Sequence, residues 1–586
     1  MDEGVYRELR SRAEVWLEGD PDEATRAELA SILARRDAEE LIERFGQSLT
    51  FGTAGLRGLL GAGPNRMNRA VVIRTSLGVV RTLLAEVPRA AERGIVIGYD
   101  ARRNSDVFAR DSAGVFAAAG VKVHWFDDVV PTPLTAFAVT RLGAAGGVMV
   151  TASHNPADYN GYKVYGPNGA QIIPPRDETI AAAIALAPPA NAVLRSSFDE
   201  ARASGLVVTI DDDVTQAYLD GVIALLRARE VRPPLRITYT PLHGVGYALA
   251  ARAFAAAGFS AVISVPEQTR PDPAFPTVRF PNPEERGALD LAILHARRTG
   301  ADLVLANDPD ADRLAVAVKD SRGAFVQLSG NQVGVLLGHY VISQDPQRDA
   351  RAVITTIVSS PMLGEMAREL GVHYEETFTG FKWIATRAIE LEKEGVRFVF
   401  GYEEALGYSV GDLVRDKDGV SAAVLFAELA AVCRAQGTSV LAYLADLYRR
   451  FGYYASVQRS VVLEGTVGAA KIAAMMSHLR AHPPSSVAGR VVEERRDYAS
   501  GDAVRADGAV TKLALPASNV VSYWLGGGTR IVIRPSGTEP KLKYYIDHRE
   551  VVAVEEPLTA AEKRSDAAIA AVDAAVAALL EGAPSA

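Results

Sequence analysis

The same unit of chain recurs three times: a short β-branched strand, a polar loop, an Ala-rich helix closed by glycine, and a second strand. The first copy runs from Ile95-Val96-Ile97 through a helix to Gly120 and the strand Val121 to Trp125. The second runs from Arg236 to Tyr239, through Pro241-Leu242-His243-Gly244 and a helix to Gly258, then Ala261 to Val265. The third runs from Val353 to Ile357, through Ser359-Ser360-Pro361 and a helix to Gly371, then Val372-His373-Tyr374. Strands separated by helices cannot pair as hairpins, so the repeat constrains the chain to α/β units whose sheets are largely parallel. Around these units the style differs. The first fifty residues read as amphipathic helices, with Leu9, Ala13 and Leu17 at helical spacing and a break at Asp20-Pro21. From about residue 456, β-branched and polar residues mix in Ser456 to Leu463 and Thr529 to Arg534, which indicates a smaller α+β domain ending in an Ala-rich helix. A length of 586 residues accommodates about three to five domains.

Each repeat leads on to a further strand, and the loops after those strands carry the chemistry. Val148-Met149-Val150 leads into Thr151-Ala152-Ser153-His154-Asn155-Pro156, Leu303-Val304-Leu305 into Asn307-Asp308-Pro309-Asp310-Ala311-Asp312-Arg313, and Phe398-Val399-Phe400 into Gly401-Tyr402-Glu403-Glu404. Ligands of open α/β sheets collect at the carboxyl ends of strands, so three similar domains could offer these loops to one cleft. Asp308, Asp310 and Asp312 alternate in what reads as an extended loop, pointing three carboxylates to one side as a hard-oxygen cage for Mg²⁺; the plainer alternative is an Asx-rich turn capping the next helix. An EF-hand is excluded because Arg313 and Lys319 stand where its glycine and final acid belong. Ser153 could be a nucleophile or phosphoryl carrier, or could simply cap a helix; no G-x-S-x-G elbow surrounds it. Lys163 could reach back to that site or be a solvated charge, and Glu403-Glu404 could accept bonds from vicinal sugar hydroxyls or be a solvated pair. Arg534-Pro535-Ser536-Gly537-Thr538, with Lys541 and Lys543 beside it, suits a phosphate dianion.

Composition removes other classes. The formal charge is 63 − 71 = −8 with no basic cluster, so nucleic acid and anionic membranes are not expected partners. The single cysteine, Cys433, allows neither an internal disulfide nor a cysteine-built metal site. Neither a signal-like apolar stretch at the amino terminus nor a run of about 20 apolar residues is found, giving the expectation of a cytoplasmic soluble protein. The Gly-rich segment 51–58 lacks a Walker A ending, and no G-x-G-x-x-G follows a strand.

Taken together, FGTAGLRG at 51–58, TASHNP at 151–156, DPDADR at 308–313, GYEEALGY at 401–408 and RPSGTEPK at 534–541 closely resemble the α-D-phosphohexomutase superfamily of phosphoglucomutases and phosphomannomutases. The resemblance implies three related α/β domains, with mixed or parallel sheets, plus a smaller α+β domain around a central cleft. On this chain the divisions would be 1–206 (N-terminal helices and phosphoserine domain), 207–326 (metal domain), 327–455 (sugar-recognition domain) and 456–586 (phosphate-binding domain). It implies that Ser153 carries the phosphoryl group and that Asp308, Asp310 and Asp312 bind Mg²⁺ together with a phosphoserine oxygen. Arg57, His154 and Lys163 would complete the catalytic set, with Lys163 handling a proton. Thr53, Arg313, Thr379, Glu403 and Lys417 would contact substrate, and Arg534, Ser536, Thr538 and Lys543 would hold the phosphate that is not transferred. The implied reaction exchanges hexose 1-phosphate and hexose 6-phosphate through a bound hexose 1,6-bisphosphate that turns end for end. The fourth domain, joined near Gly452, would act as a lid, in a monomer or dimer. Ala405 stands where many members carry serine, and the GYEEALGY variant looks closer to the branch with phosphopentomutases and hexose 1,6-bisphosphate synthases. Glucose phosphate is the favoured substrate, with mannose and pentose phosphates as alternatives. A bisphosphate synthase, a Mg²⁺ phosphatase and a sugar-phosphate-binding regulator are the rival functions.

Overall fold

The computed structural model describes residues 3–51, 55–228, 230–231, 234–463, 465–536 and 541–582. Helices Glu3–Gly19, Glu23–Arg35 and Ala38–Phe45 come first, with the break falling at Asp20-Pro21. Asp22 and Asp37 accept the free amides that open the second and third helices, and Tyr6, Leu9, Ala13, Leu29, Ile32 and Phe45 form a small core between them.

Three sheets follow one plan. In the first, Gly146–Val150, Ile95–Tyr99, Val123–Trp125 and Val207–Thr209 run parallel, and Tyr159–Tyr165 and Leu56–Leu59 are added by antiparallel pairing at one edge. In the second, Leu303–Ala306, Ile237–Thr240 and Val262–Ser264 are parallel, and Ala315–Lys319 returns antiparallel, followed by Phe325–Gln327. In the third, His373–Thr377, Arg351–Thr356 and Arg397–Glu403 are parallel, and Gly407–Val410 returns antiparallel. Each polar loop singled out above is therefore the connection between a buried parallel strand and its own antiparallel return. A loop so placed is held at both ends by a sheet ladder, which fixes its shape more tightly than a strand-to-helix crossover does.

The fourth unit is an antiparallel sheet built on Tyr453–Val462, Lys541–Glu550, Thr529–Pro535, Val521–Leu525 and Arg490–Asp497. Helix Leu558–Glu581 packs on it through Ile569, Val572, Val576 and Leu580. One apolar cluster runs through the second and third units and reaches into the first, taking in Met149, Leu305, Leu337, Val353, Phe400 and Phe426. The fourth unit has a core of its own around Ile531, Ile533, Ile546 and Val572. Helix Gly419–Ala435 is buried almost all round within the shared core, which explains its uniformly apolar sequence. Among the described residues no single helix is long and apolar enough to cross a membrane.

Ser329 and Gln332 form a capping box that starts helix Gly330–Gln344 directly against the third loop. A Cβ at Gly330 would lie 1.8 Å from the Glu404 carbonyl oxygen. Gly330→Ala is expected to cost about 3 kcal/mol, because backbone would have to move, and a thermal or urea melt reads this directly.

Candidate active site

The first loop is bent by a pair of residues that the sequence motifs did not highlight. Ser153 has φ of 54°, a left-handed conformation that a serine adopts only when its surroundings impose it. Thr151 Oγ1 accepts the Ser153 amide at 2.9 Å and donates to Asp100 Oδ2 at 2.6 Å. Arg102 donates to the carbonyls of Ser153 and Pro156 at 2.7 Å, and to those of Asn155 and Tyr159. Asp100 lies 3.4 Å from that guanidinium, and Phe275 from the second unit stacks on it at 5.0 Å. The signal was present as Asp100-Ala101-Arg102 at the carboxyl end of strand Ile95–Tyr99. No helix follows Ser153, so the capping alternative does not describe it; the chain proceeds to strand Tyr159–Tyr165.

The acidic loop is a turn, contrary to the extended shape expected. Ala311 N–H bonds to the Asp308 carbonyl at 2.9 Å, and Ala311 has φ of 55°. The turn brings the three carboxylates together, with one oxygen from each lying within 4.8 Å of the others. All three are buried, and the Oδ1 atoms of Asp310 and Asp312 have no hydrogen-bond partner. Buried carboxylate oxygens without a partner, in a cluster of three acids this close, fit a small hard cation such as Mg²⁺. Ser153 Oγ donates to Asp308 Oδ2 at 2.8 Å, so the hydroxyl adjoins the same point.

Cations from two other strands and loops offset this charge. Lys163 Nζ donates to Asp310 Oδ2 at 2.7 Å and Asp312 Oδ2 at 2.8 Å, and Lys417 Nζ lies 3.3 Å from Asp312 Oδ2. Burial raises Asp308 well above the usual carboxylate range, reinforced by Asp310 and Asp312. Burial also acts upward on Asp310 and Asp312, but Lys163 overrides it and holds both below the usual range. Lys163 is in turn held protonated, because Asp310 and Asp312 outweigh its burial. His154 is pushed the other way, to the neutral form, by burial and then by Arg313 and Arg57; its Nδ1 lies 3.0 Å from Ser153 Oγ. Thus Lys163 is held as a proton donor, and His154 stands neutral beside the serine hydroxyl. Arg57 reaches Asn155 Oδ1 at 3.2 Å, and Arg313 reaches Glu284 at 3.4 Å and Asp308 at 3.9 Å.

The third loop closes on the same place, and Arg534 of the fourth unit acts on its Glu404. Arg313 pairs by backbone with Gly407, and Glu403 Oε1 accepts the Gly380 amide at 2.7 Å, beside Thr379, whose buried Oγ1 has no partner. The two glutamates do not form a joint acceptor pair. Glu404 turns instead to Ser359 at 3.3 Å and Thr356 at 3.4 Å. Burial, then Glu403 and Glu284, push Glu404 up to about 7, with Arg534 of the fourth unit pulling the other way. Arg534 and Lys543 face each other across the fourth sheet, and the Ser536 amide bonds to the Lys541 carbonyl at 2.7 Å. Thr53 and Thr538 lie outside the described residues.

Residues 48–188, 216–323 and 329–451 match, in that order, phosphoglucomutase/phosphomannomutase alpha/beta/alpha domains I, II and III. A probable phosphoribomutase of Schizosaccharomyces pombe is 41% identical over 92% of this chain and 93% of its own length. The chain belongs to the phosphoglucomutase/phosphomannomutase family. It is an enzyme, a phosphomutase of that type. A probable phosphomannomutase of Haemophilus influenzae is also 41% identical, over 82% of this chain and 93% of its own length. The crystal structure of a putative phosphomannomutase from Thermus thermophilus shares the fold, with a TM-score of 0.67 at 22% identity, covering 92% of this chain and all of that one.

The geometry of this phosphomutase carries two predictions. Asp100→Asn weakens both the Thr151 bond and the partner of Arg102, so kcat should fall by one to two orders of magnitude in steady-state assays, corresponding to about 1–3 kcal/mol. The second concerns Glu404. Its folded-state value of about 7 stands above the ordinary 4.5, so its contribution to stability is complete below about pH 4.5 and is lost as pH rises through 7. Glu404→Gln should therefore gain on the wild type across that window, by up to about 3 kcal/mol, in melts recorded from acid to neutral pH.

Proposed function

We propose that the enzyme interconverts hexose 1-phosphate and hexose 6-phosphate, glucose foremost, by passing a phosphoryl group through Ser153 and a bound hexose 1,6-bisphosphate. The observation that carries this reading is the Ser153 hydroxyl 2.8 Å from Asp308, within a trio of buried carboxylates that still has two unpartnered oxygens. In this reading Asp308, Asp310 and Asp312 hold Mg²⁺ with an oxygen of the phosphorylated Ser153. The bound cation would offset charge that develops on the phosphoryl group during transfer.

The chain's own residues do the rest. The Asp100–Arg102 clamp holds Ser153 in its strained turn, so the carrier oxygen keeps one position through both half-reactions. As the Ser153 O–P bond breaks, a bond forms from the sugar hydroxyl oxygen to phosphorus. The sugar hydroxyl loses a proton while the serine oxygen gains one. His154, neutral and with Nδ1 3.0 Å from Ser153 Oγ, would accept a proton, and Lys163 is the protonated group that can return one. Arg57 and Arg313 add positive charge around the transferring group. Glu403, Thr379 and Lys417 receive sugar hydroxyls, and Arg534, Ser536 and Lys543 hold the other phosphate, with Thr53 and Thr538 belonging to the same sets by motif.

A second reading makes pentose phosphates the main substrates. It is favoured by the 41% identity to a probable phosphoribomutase over nearly the whole chain, and by Ala405, which removes a hydroxyl from the sugar loop.

Incubation with glucose 1,6-bisphosphate should add one phosphoryl group, mapped to Ser153 by intact-mass and peptide analysis. Ser153→Ala should lose turnover by about 10³-fold or more. Chelation of divalent cations should abolish turnover, and added Mg²⁺ should restore it. Glucose 1-phosphate with catalytic bisphosphate should yield glucose 6-phosphate; inorganic phosphate as the main product would instead indicate a phosphatase. A kcat/KM for ribose 1-phosphate above that for glucose 1-phosphate would decide for the second reading.

A further inference from the structure

Strand Thr529–Pro535 of the fourth unit has two faces with different tasks. Ile531 and Ile533 point into the core of their own sheet. Arg530, Val532 and Arg534 alternate with them and lie on the other face. Val532 and Tyr545 pack there against Ile357, Val358 and Phe378 of the third unit. Arg530, with a side chain only 2% exposed, completes this contact with every nitrogen of its guanidinium engaged. On its own sheet, Nε and Nη2 donate to Asp547 Oδ2 at 3.0 and 2.7 Å, and Asp547 also takes the Ser456 hydroxyl. Across the junction, Nη1 donates to Glu376 Oε1 at 2.7 Å and Nη2 donates to the Ser359 carbonyl. Trp524 covers the guanidinium at 5.4 Å.

The Ser359 contact leads into the third loop. The Ser359 hydroxyl accepts the Glu404 amide at 3.2 Å and donates to the Glu404 carboxylate at 3.3 Å. One residue thus separates Arg530 from the turn that carries Glu403. On the other side, Arg530 is four residues before Arg534 on one rigid strand. We infer that Arg530 is a positioning residue, which pins the strand bearing Arg534 to the Ser359–Glu404 turn so that both form one surface for the phosphosugar. The inference rests on the reading of Arg534 as a phosphate contact. A lysine cannot reproduce it, since an ammonium has no planar fork to span Asp547, Glu376 and a carbonyl at once. General adhesion between domains would make a different prediction, because a weaker joint that positions nothing lowers the folded fraction and leaves the KM of the remaining enzyme alone.

The test uses Arg530→Lys and, from the opposite side of the junction, Glu376→Gln, which keeps shape and acceptor and guards against a fold that fails. Steady-state kinetics with glucose 1-phosphate and ribose 1-phosphate are measured alongside the hexose or pentose bisphosphate found free in solution per turnover. Each variant should raise KM for the better substrate about tenfold, keep kcat within about threefold, and release about tenfold more bisphosphate per turnover. An unchanged KM and an unchanged release, with only kcat or the melting temperature lowered, would overturn the inference. Arg534→Ala separates the two levels. If it leaves KM unchanged, the phosphate contact itself fails and the inference falls with it. If it raises KM while Arg530→Lys and Glu376→Gln do not, only the inference fails.

Discussion

Three carboxylates from one tight turn, buried within 4.8 Å of one another, set the terms for the rest of this molecule. At an effective dielectric of about 20, each pair of like charges at that separation costs roughly 3 kcal/mol, so the turn cannot remain ionised without imported positive charge. The second unit does not provide enough of it alone. Lys163 comes from the return strand of the first unit, Lys417 from the loop before the buried helix of the third, and Arg57 from the edge strand of the first. The convergence of separate units on one point is thus an electrostatic solution as well as a steric one. It also leaves an imbalance suited to chemistry. Asp308 stays above the usual range while its neighbours are held below it, and Oδ1 of Asp310 and of Asp312 remain unpartnered.

Backbone strain is concentrated beside this charge. Ser153 and Ala311 are both left-handed non-glycine residues, in turns facing each other across the 2.8 Å contact from Ser153 to Asp308. Both turns join a parallel strand to its antiparallel return, so sheet ladders hold their ends. The acidic turn is enclosed from other sides by close backbone approach: a Cβ on Gly244 would meet the Pro309 backbone at 2.2 Å, and one on Gly419 the Arg313 carbonyl at 2.2 Å. Glycines at these points let the loops nest, and nesting brings residues far apart in sequence within bonding distance.

Much of this could be read before any coordinates. The repeat of β-branched strands and Ala-rich helices announces α/β units, and the three polar loops lie where a parallel strand ends. Asp308, Asp310 and Asp312 do assemble, and Ser153 does adjoin them. What the sequence withheld depends on long-range geometry. The acidic loop reads as extended because alternation in sequence resembles a strand, yet Asp-Pro-Asp-Ala forms a turn. Arg102 acts through main-chain carbonyls some fifty residues away, and such contacts leave no residue-type pattern at their target; Asp100 supports it from its own loop and takes the Thr151 hydroxyl. Glu403 and Glu404 are adjacent in sequence but diverge because strand Arg397–Glu403 ends between them, leaving Glu403 on the strand and Glu404 in the turn that follows. Arg530 was hidden for a related reason: its partners, Ser359 and Glu376, lie in another unit and mean nothing until the sheets are docked.

The distribution of apolar cores separates two tasks within one locus. The serine turn and the acidic turn are joined through buried residues of units that share a continuous core, so their relative position is as stiff as a domain interior. The sheet carrying Arg534 has its own core, meets the third unit through a small apolar cluster, the buried Arg530, the Arg549 bond to the Phe451 carbonyl and Tyr453 and Tyr454 packed on the shared core, and joins the chain at Gly452, whose φ of 102° few other residues accept. A junction between separate cores holds its two sides together less tightly than a shared core does. In the reaction proposed above, rigidity belongs around the phosphoryl carrier and compliance around the remote phosphate. The division of cores in this chain matches that requirement.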